Sequence, residues 1–207
     1  MSDDRFGDVR SLLQQAPSPQ HWRALCQAVA EWDGPEFEER VLPYILDGLA
    51  SWPLRLRRAP MRWLDGLARG ARLPWAPMVK VLDLTDFGLR NEDMHTLAHA
   101  PALEHLEVLI LDGNDIGIKG VRYLSESPEV RSLRVLSLQG ARVDAEGARA
   151  ITATPYFASL ERLVLRDAQL HTEAVEYLAH TDQLHALREL DLSHNGMRHK
   201  AAEVLAR

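Results

Sequence analysis

The stretch Leu106-Glu-Val-Leu109-Ile-Leu111-Asp-Gly-Asn114-Asp-Ile116, with the frame L-x-x-L-x-L-x-x-N-x-I, decides the fold, because its two central leucines return five times along the chain. The middle leucine and the leucine two positions later both recur at steps of 27 residues. The two series are Leu82, Leu109, Leu136, Leu163, Leu190 and Leu84, Leu111, Leu138, Leu165, Leu192. A fixed period between about 20 and 50 residues is typical of stacked supersecondary units. The sequence therefore predicts a solenoid.

Each repeat carries a strand signal and then a helix signal. The paired leucines alternate with outward residues, as in a half-buried strand. An apolar pair at spacing three follows, which is typical of one face of a helix, and a helix is long enough to connect parallel strands. The pairs are Met94/Leu97, Val121/Leu124, Ala148/Ile151, Val175/Leu178 and Ala202/Leu205. We therefore predict a right-handed α/β solenoid of five strand–helix repeats over residues 78–207, curved into a horseshoe.

One segment matches a known repeat closely. Asn114-Asp-Ile116-Gly-Ile-Lys-Gly120-Val121-Arg-Tyr-Leu124 follows the phrase N-x-I-G-x-x-G-x-x-x-L. Residues 78–207 thus resemble the leucine-rich repeat family and, within it, the ribonuclease-inhibitor-like class, whose repeats contain a full helix. The resemblance implies protein recognition, usually on the concave face, and no catalysis.

The sequence departs from the family at the asparagine of the frame. That position is filled by Phe87, Asn114, Ala141, Ala168 and Asn195. Only the two asparagines can bond to the neighbouring turn, so we expect apolar side chains to fill the space in the other repeats.

Residues 1–77 contain no such repeat. They indicate helices at about residues 4–15, from Pro19, from Glu36 and after Pro60, with Ser18 as an N-cap and Pro43 bending or dividing the third helix. All five tryptophans lie here: Trp22, Trp32, Trp52, Trp63 and Trp75. They favour a small helical core over an aromatic binding surface. Because a solenoid needs an atypical unit to seal its end, we predict that residues 1–77 are an all-α N-terminal cap.

A basic cluster in this region, Arg55, Arg57 and Arg58, indicates a solvated turn more than a phosphate site. Asp47 and Asp65 are candidate partners for it.

Two alternatives compete with a plain cap and a plain binding module. Residues 42–57, beginning Leu42-Pro43-Tyr-Ile45-Leu46, together with Trp63 look like an F-box. That resemblance implies an adaptor whose N-terminal helices dock into a larger complex. One family of GTPase activators also uses this repeat class, which implies a GTPase-activating or regulatory role, although the sequence shows no positioned catalytic residue for it.

The strand register predicts which residues line the sheet face without helices, here called the open face, which is the concave side of the predicted horseshoe. Val81, Val108 and Val135 form an apolar row with Ile110 and Val164, and an apolar row beside charges is typical of an interaction patch. The alternative is that β-branched residues simply suit strands. The predicted partner-binding residues are Val81, Asp83, Thr85, Val108, Ile110, Asp112, Val135, Ser137, Gln139, Arg162, Val164, Arg166, Glu189, Asp191 and Ser193.

Charge and composition exclude several function classes. The net charge of −6, with the negative excess on residues 78–207, argues against binding to nucleic acid or to an anionic membrane. A single cysteine, Cys26, fits a reducing compartment, and no secretory or membrane-spanning segment is visible, so we expect a cytoplasmic protein. The excess of arginine over lysine indicates a high-GC bacterium.

No catalytic, cofactor or metal motif stands out. His95 and His99 have the spacing of a metal-binding pair on a helix, but the apolar residues beside them predict that both point to solvent. We therefore expect no enzyme activity, no metal and no cofactor. No capping sequence is visible after the fifth repeat. The edge of its strand either stays solvated beside polar residues or, as we favour, is covered by a protein partner or by self-association.

Overall fold

The structure is a computed structural model and describes residues 2–30, 32, 34–71, 73–197, 199, 201 and 204. Four helices come first: α1 (Ser2–Leu13), α2 (Pro19–Ala30), α3 (Leu42–Gly48) and α4 (Met61–Ala68). A π-helical turn, Phe37–Val41, leads directly into α3, and 3-10 turns span Leu54–Leu56 and Ala76–Met78. Pro43 lies in the first turn of α3, where the π-helical turn passes into the α-helix, so the third helix changes its hydrogen-bonding pattern there without a break.

Strands and helices then alternate. The strands are β1 (Val81–Asp83), β2 (Val108–Ile110), β3 (Val135–Ser137), β4 (Arg162–Val164) and β5 (Glu189–Asp191). The helices between them are α5 (Asn91–Ala98), α6 (Ile118–Ser125), α7 (Asp144–Ala153) and α8 (Thr172–Ala179). A short 3-10 turn precedes each of the first four strands, at Ala76–Met78, Pro101–His105, Pro128–Ser132 and Pro155–Phe157.

The strands form one parallel sheet in the order β1-β2-β3-β4-β5. Each leucine pairs with the leucine 27 residues later, as in Leu82 with Leu109 and Leu109 with Leu136. This confirms the predicted strands and their register. The helical pairs of the first four repeats are buried, whereas Ala202 and Leu205 lie outside the described residues.

The core lies between the sheet and the helices. Leu109, Leu136 and Leu163 have no exposed surface, and neither has the leucine two residues after each of them. Burying one leucine side chain stabilises a fold by about 1.5–3 kcal/mol. The repeats therefore gain their stability from a continuous column of identical contacts.

A second regularity appears in the turn after each strand. One residue there has a positive φ in every repeat, and the identities are Asp86, Gly113, Gly140, Asp167 and His194. These are the residue types that best tolerate the left-handed region. The turn conformation is thus repeated every 27 residues even where the sequence is not.

The asparagine position behaves in three ways. The Asn114 amide donates to the carbonyls of Leu84 and Leu111 at 2.8 Å, and its oxygen accepts from the Leu89 amide at 2.9 Å. Asn195, in the turn after β5, forms similar hydrogen bonds. Ala141 and Ala168 are buried, so apolar filling is confirmed in those two repeats.

Phe87 does not fill the equivalent space. Its side chain is 38% exposed, whereas Leu89, at the isoleucine position of the same frame, is buried like Ile116 in the next repeat. A benzyl ring is too large for a slot that holds an amide or a methyl group, so the expectation of apolar filling was wrong at this position.

The N-terminal region has its own aromatic packing. All five tryptophans are buried, which confirms the predicted helical core. The Trp63 and Trp75 rings stack with centroids 3.4 Å apart, and Trp22 and Trp52 pack at 6.5 Å. These residues belong to one hydrophobic cluster that runs on into the leucines of the repeats.

Residues 57–59 continue the sheet beyond β1. The amides of Lys80 and Val81 both donate to the Arg57 carbonyl, just as the amides of Glu107 and Val108 both donate to the Lys80 carbonyl. The Ala59 amide donates back to the Val81 carbonyl at 2.8 Å. The outer edge of β1 is therefore paired, which removes a template for unwanted strand addition.

This pairing shows that the prediction of a solvated basic turn was wrong for Arg57, whereas Arg55 and Arg58 are exposed as predicted. Arg57 is 6% exposed, its Nε donates to the Met78 carbonyl, and burial lowers the pKa of its guanidinium. Arg58 pairs with Asp83 at 3.0 Å rather than with Asp65, which bonds to Arg69. These partners could not be predicted from the sequence, because they are distant along the chain and become neighbours only in the folded sheet.

Candidate functional site

The open face is built from three residues of each repeat that alternate with the buried leucines. In register, Val81 lies beside Val108 and Val108 beside Val135. The structure therefore brings the predicted residues together on one face. Whether they contact a partner stays a prediction.

Three of the predicted residues offer little surface. Val81, Ser137 and Val164 are 5%, 6% and 8% exposed. Side chains on adjacent strands stand only about 4.8 Å apart and cover one another. Val81 is also covered because residues 57–59 lie beside it. The apolar row is thus shorter than its sequence suggests.

An apolar patch remains at the centre of the face. Val108, Ile110 and Val135 are each half-buried, and they lie on the neighbouring strands β2 and β3. Polar residues flank this patch on both sides. Such an arrangement, with an apolar centre and a polar rim, is typical of protein interfaces.

The first polar flank is internally bonded. The Asp83 carboxylate accepts from the Thr85 hydroxyl at 2.6 Å and pairs with Arg58. The Asp112 carboxylate accepts from the Ser137 hydroxyl at 2.6 Å and from the Gln139 amide at 3.0 Å. These bonds hold the side chains in one arrangement before any partner arrives.

The second flank, on β4 and β5, is charged. Arg162 pairs with Glu189 at 3.3 Å, and an Arg166 Nη lies 2.8 Å from the His194 ring. Hydrogen bonds from the Ser193 side chain and amide hold the pKa of Asp191 below its usual value. The open face therefore changes from apolar to charged along the sheet.

Sequence reasoning missed a ladder of alternating charges where the strands begin. Lys80 lies 3.5 Å from Glu107, which lies 3.6 Å from Arg134, and Arg134 lies 2.6 Å from Glu161. A hydrogen bond from Arg134 to Glu161 raises the pKa of the guanidinium. The signal was visible, because Lys80, Glu107, Arg134, Glu161 and Arg188 are spaced by 27 residues and alternate in sign.

The other residues that the sequence singled out do not form a recognisable site among the described residues. His95 and His99 are exposed with ring centroids 4.8 Å apart, and among the described residues no group of three or more metal-binding side chains comes together. Leu42 and Ile45, which carry part of the F-box resemblance, lie in the core. No described helix is long and apolar enough to cross a membrane.

The comparison with family models agrees with this architecture. The model described as "Leucine Rich repeat" matches residues 102–125, 131–151 and 183–206. The chain is a leucine-rich repeat protein. Each matched range includes one strand of the sheet, β2, β3 or β5, and its preceding leucine.

Comparisons with individual proteins found distant similarity to solved structures and no similar curated sequence. A solved structure of an internalin from Listeria monocytogenes is similar to this leucine-rich repeat protein, with 16% sequence identity and a TM-score of 0.35. The match covers 64% of this chain and 48% of the internalin, so the chain spans about half the length of that protein. No curated protein sequence matches the chain.

The family match supports a general function for the chain. Leucine-rich repeats are protein-interaction modules, and the curved surfaces of such solenoids are used for binding. A protein-binding role is therefore supported. The repeat is typically a scaffold without catalytic groups of its own.

Proposed function

We propose that this protein binds another protein through the open face of its repeats and acts as a non-catalytic scaffold or regulator. The observation that carries the proposal is the half-buried apolar patch Val108, Ile110 and Val135 between two polar flanks. A few apolar residues at the centre of an interface commonly supply most of its binding energy, while the surrounding polar contacts exclude water.

The size of the sheet limits the partner. Five strands at a spacing of about 4.8 Å span roughly 20 Å. A helix, a loop or a small domain fits such a face, whereas a large globular ligand would contact it only in part. The charged side chains on β4 and β5 would then set orientation more than affinity.

The N-terminal region has a separate role in the proposal. We infer that residues 1–77 cap the repeats, since residues 57–59 pair with β1 and the two cores are continuous. We also propose a cytoplasmic location. Cys26 supports it, because this buried free thiol, whose pKa is raised by burial, suits a reducing compartment.

Paired variants of one chain test the binding face. Ile110→Glu with Val135→Glu places two carboxylates in the apolar patch, and Arg122→Glu with Arg149→Glu makes a double substitution on α6 and α7, away from the open face. Each tagged protein is used to capture partners from lysate of the organism that carries the gene. We expect a partner whose recovery falls about tenfold with the open-face variant, since burying an unpaired charge costs well over 1 kcal/mol.

The control decides the result. The partner must be retained by the helix-face variant, and its dissociation constant is then measured by titration calorimetry with each purified variant. A partner lost equally with both variants, or with neither, would assign binding to another surface.

A further inference from the structure

A groove in the N-terminal region lies outside the open face and collects uncompensated positive charge. It runs between α2, the turn Leu54–Leu56 and the start of α4, and its volume is about 670 Å³. That volume is within the range of about 300–1,000 Å³ that is usual for ligand sites. Four of the residues that line it are arginines: Arg23, Arg55, Arg58 and Arg62.

The charge is not neutralised within the described part of the chain. Among the described residues that line the groove, none is acidic. All four arginine side chains are exposed, and only Arg58 forms an ion pair with a described carboxylate, that of Asp83 on the rim of the open face. Three guanidinium groups therefore line one groove without an ion pair to any described carboxylate. Each has a planar set of donors suited to a carboxylate or a phosphate.

The groove is also apolar in part. Trp22, buried in its wall, is fixed there because its indole Nε1 donates to the Arg58 carbonyl at 2.8 Å. Met61 at the groove is 83% exposed, more than either of the other exposed large hydrophobic side chains among the described residues. A flexible thioether in such a position is well suited to contact a varied apolar side chain.

We propose that this groove, here called the arginine groove, binds an acidic segment of a protein, with carboxylates on the arginines and one apolar side chain against Met61. The occupant is a peptide rather than a nucleic acid for two reasons. The arginines form one compact cluster instead of a stripe that could follow a phosphate backbone. The rest of the chain, residues 78–207, carries the negative excess and would repel a long polyanion.

The arginine groove is a second surface, and its occupation does not require the open face to bind anything. It was not visible in the sequence because the four arginines come from α2, a turn, a bridge to β1 and α4. Only the packing of α2 against residues 55–62 assembles them. The proposal therefore stands or falls separately from the proposed function.

A short synthetic peptide tests it on the whole chain. The probe is fluorescein-labelled acetyl-Glu-Glu-Leu-Glu-Glu-amide, and the comparison peptide has glutamine in place of each glutamate. Fluorescence anisotropy is measured at about 50 mM salt, where surface charges are only partly screened. We expect the glutamate peptide to bind at least about tenfold more tightly, since each exposed ion pair contributes up to roughly 1 kcal/mol. Equal binding of both peptides would overturn the proposal.

Variants locate the site. Arg55→Glu with Arg62→Glu should weaken binding of the acidic peptide by about tenfold or more. Arg122→Glu with Arg149→Glu changes the net charge equally at a distant surface, and Ile110→Glu alters the open face, so both should retain binding. Loss with Arg122→Glu and Arg149→Glu would mean only non-specific attraction, and loss with Ile110→Glu alone would move the peptide to the open face.

Two further measurements test the proposal if the arginine variant does not fold and compare the peptide with other anions. If the arginine variant does not fold, as judged by circular dichroism, Met61→Glu decides, because this exposed position tolerates the change and a carboxylate there should also weaken the peptide. An oligothymidylate of equal charge is titrated in parallel, and inorganic phosphate is added as a competitor. Tighter binding of the oligonucleotide to the same arginines, or displacement by millimolar phosphate, would overturn the acidic-peptide assignment.

Discussion

The N-terminal region and the repeats bury their apolar side chains by different means. In the repeats, leucines at 27-residue spacing fill identical slots, and Leu109, Leu136 and Leu163 are fully buried. In residues 1–77, five tryptophans fill a space that occurs only once. A repeated slot needs one residue type, because each unit presents the same shape to its neighbour, whereas a unique core needs large side chains matched individually.

The two regions are joined at their boundary by the hydrogen-bonding pattern of the repeats. Residues 57–59 belong to the N-terminal region in sequence, yet their hydrogen bonds with β1 repeat the pattern between successive strands. The two regions therefore share a sheet as well as a core. We expect them to unfold together.

The largest expected effect follows from removing one tryptophan. Trp63 is 5% exposed and stacks on Trp75, so Trp63→Ala should destabilise the protein by about 3–5 kcal/mol. Because the cores are continuous, urea unfolding followed by far-UV circular dichroism should show a single transition at lower urea. Met61→Ala is the matched control on the same helix and should change stability by less than about 0.5 kcal/mol. Two transitions, with that of the repeats unmoved, would show that residues 1–77 are an independent domain.

A leucine in the middle of the sheet provides the corresponding test in the repeats. Leu136 is fully buried on β3, and Leu136→Ala should cost about 2–5 kcal/mol of the free energy of unfolding. Gln139→Ala, at an exposed position of the same repeat, should cost little. A protein that tolerated Leu136→Asp would contradict the buried column altogether.

The asparagine position tests how polar and apolar turns differ. Asn114→Ala leaves the Leu89 amide and the Leu84 carbonyl without their partner in a buried site, which should cost about 1–3 kcal/mol. Asn195→Ala should cost less, because Asn195 is only half-buried and water can replace its bonds. Thermal unfolding of the two variants gives the comparison. Equal losses would show that burial does not set the strength of these bonds.

The smallest expected effect lies where the two regions meet. Burial lowers the pKa of His105, and Lys80 lowers it further against the opposing charges of Glu104 and Glu129. The folded state thus disfavours the protonated ring, so stability should fall as pH decreases through the unfolded histidine value of about 6.5. His105→Gln should reduce the loss of unfolding free energy between about pH 7.5 and 5.5.

The exposed His99 supplies the control, and urea unfolding at both pH values supplies the measurement. A pH dependence that survives His105→Gln but disappears with His99→Gln would assign the pH dependence to His99 instead of His105.

The repeats could be predicted in detail because their signal is local and periodic. The positions of β1–β5 and the burial of Met94 and Leu97 or of Val121 and Leu124 follow from spacing alone. The open face could be placed from the same register, since side chains alternate along a strand. The exposure of its residues could not be predicted, as Val81 and Val164 show, because exposure depends on which side chains the neighbouring strand carries.

The sequence by itself determined the solenoid, its period and the direction of each leucine, since a 27-residue repeat leaves one way to bury one face of every strand and helix. Tertiary structure alone decided that Arg57 is buried against β1, that Phe87 faces solvent and that four arginines share a groove. Those outcomes depend on partners far apart in the chain and outside any period. No local pattern encodes such contacts, because they arise only when two surfaces of different sequence pack together.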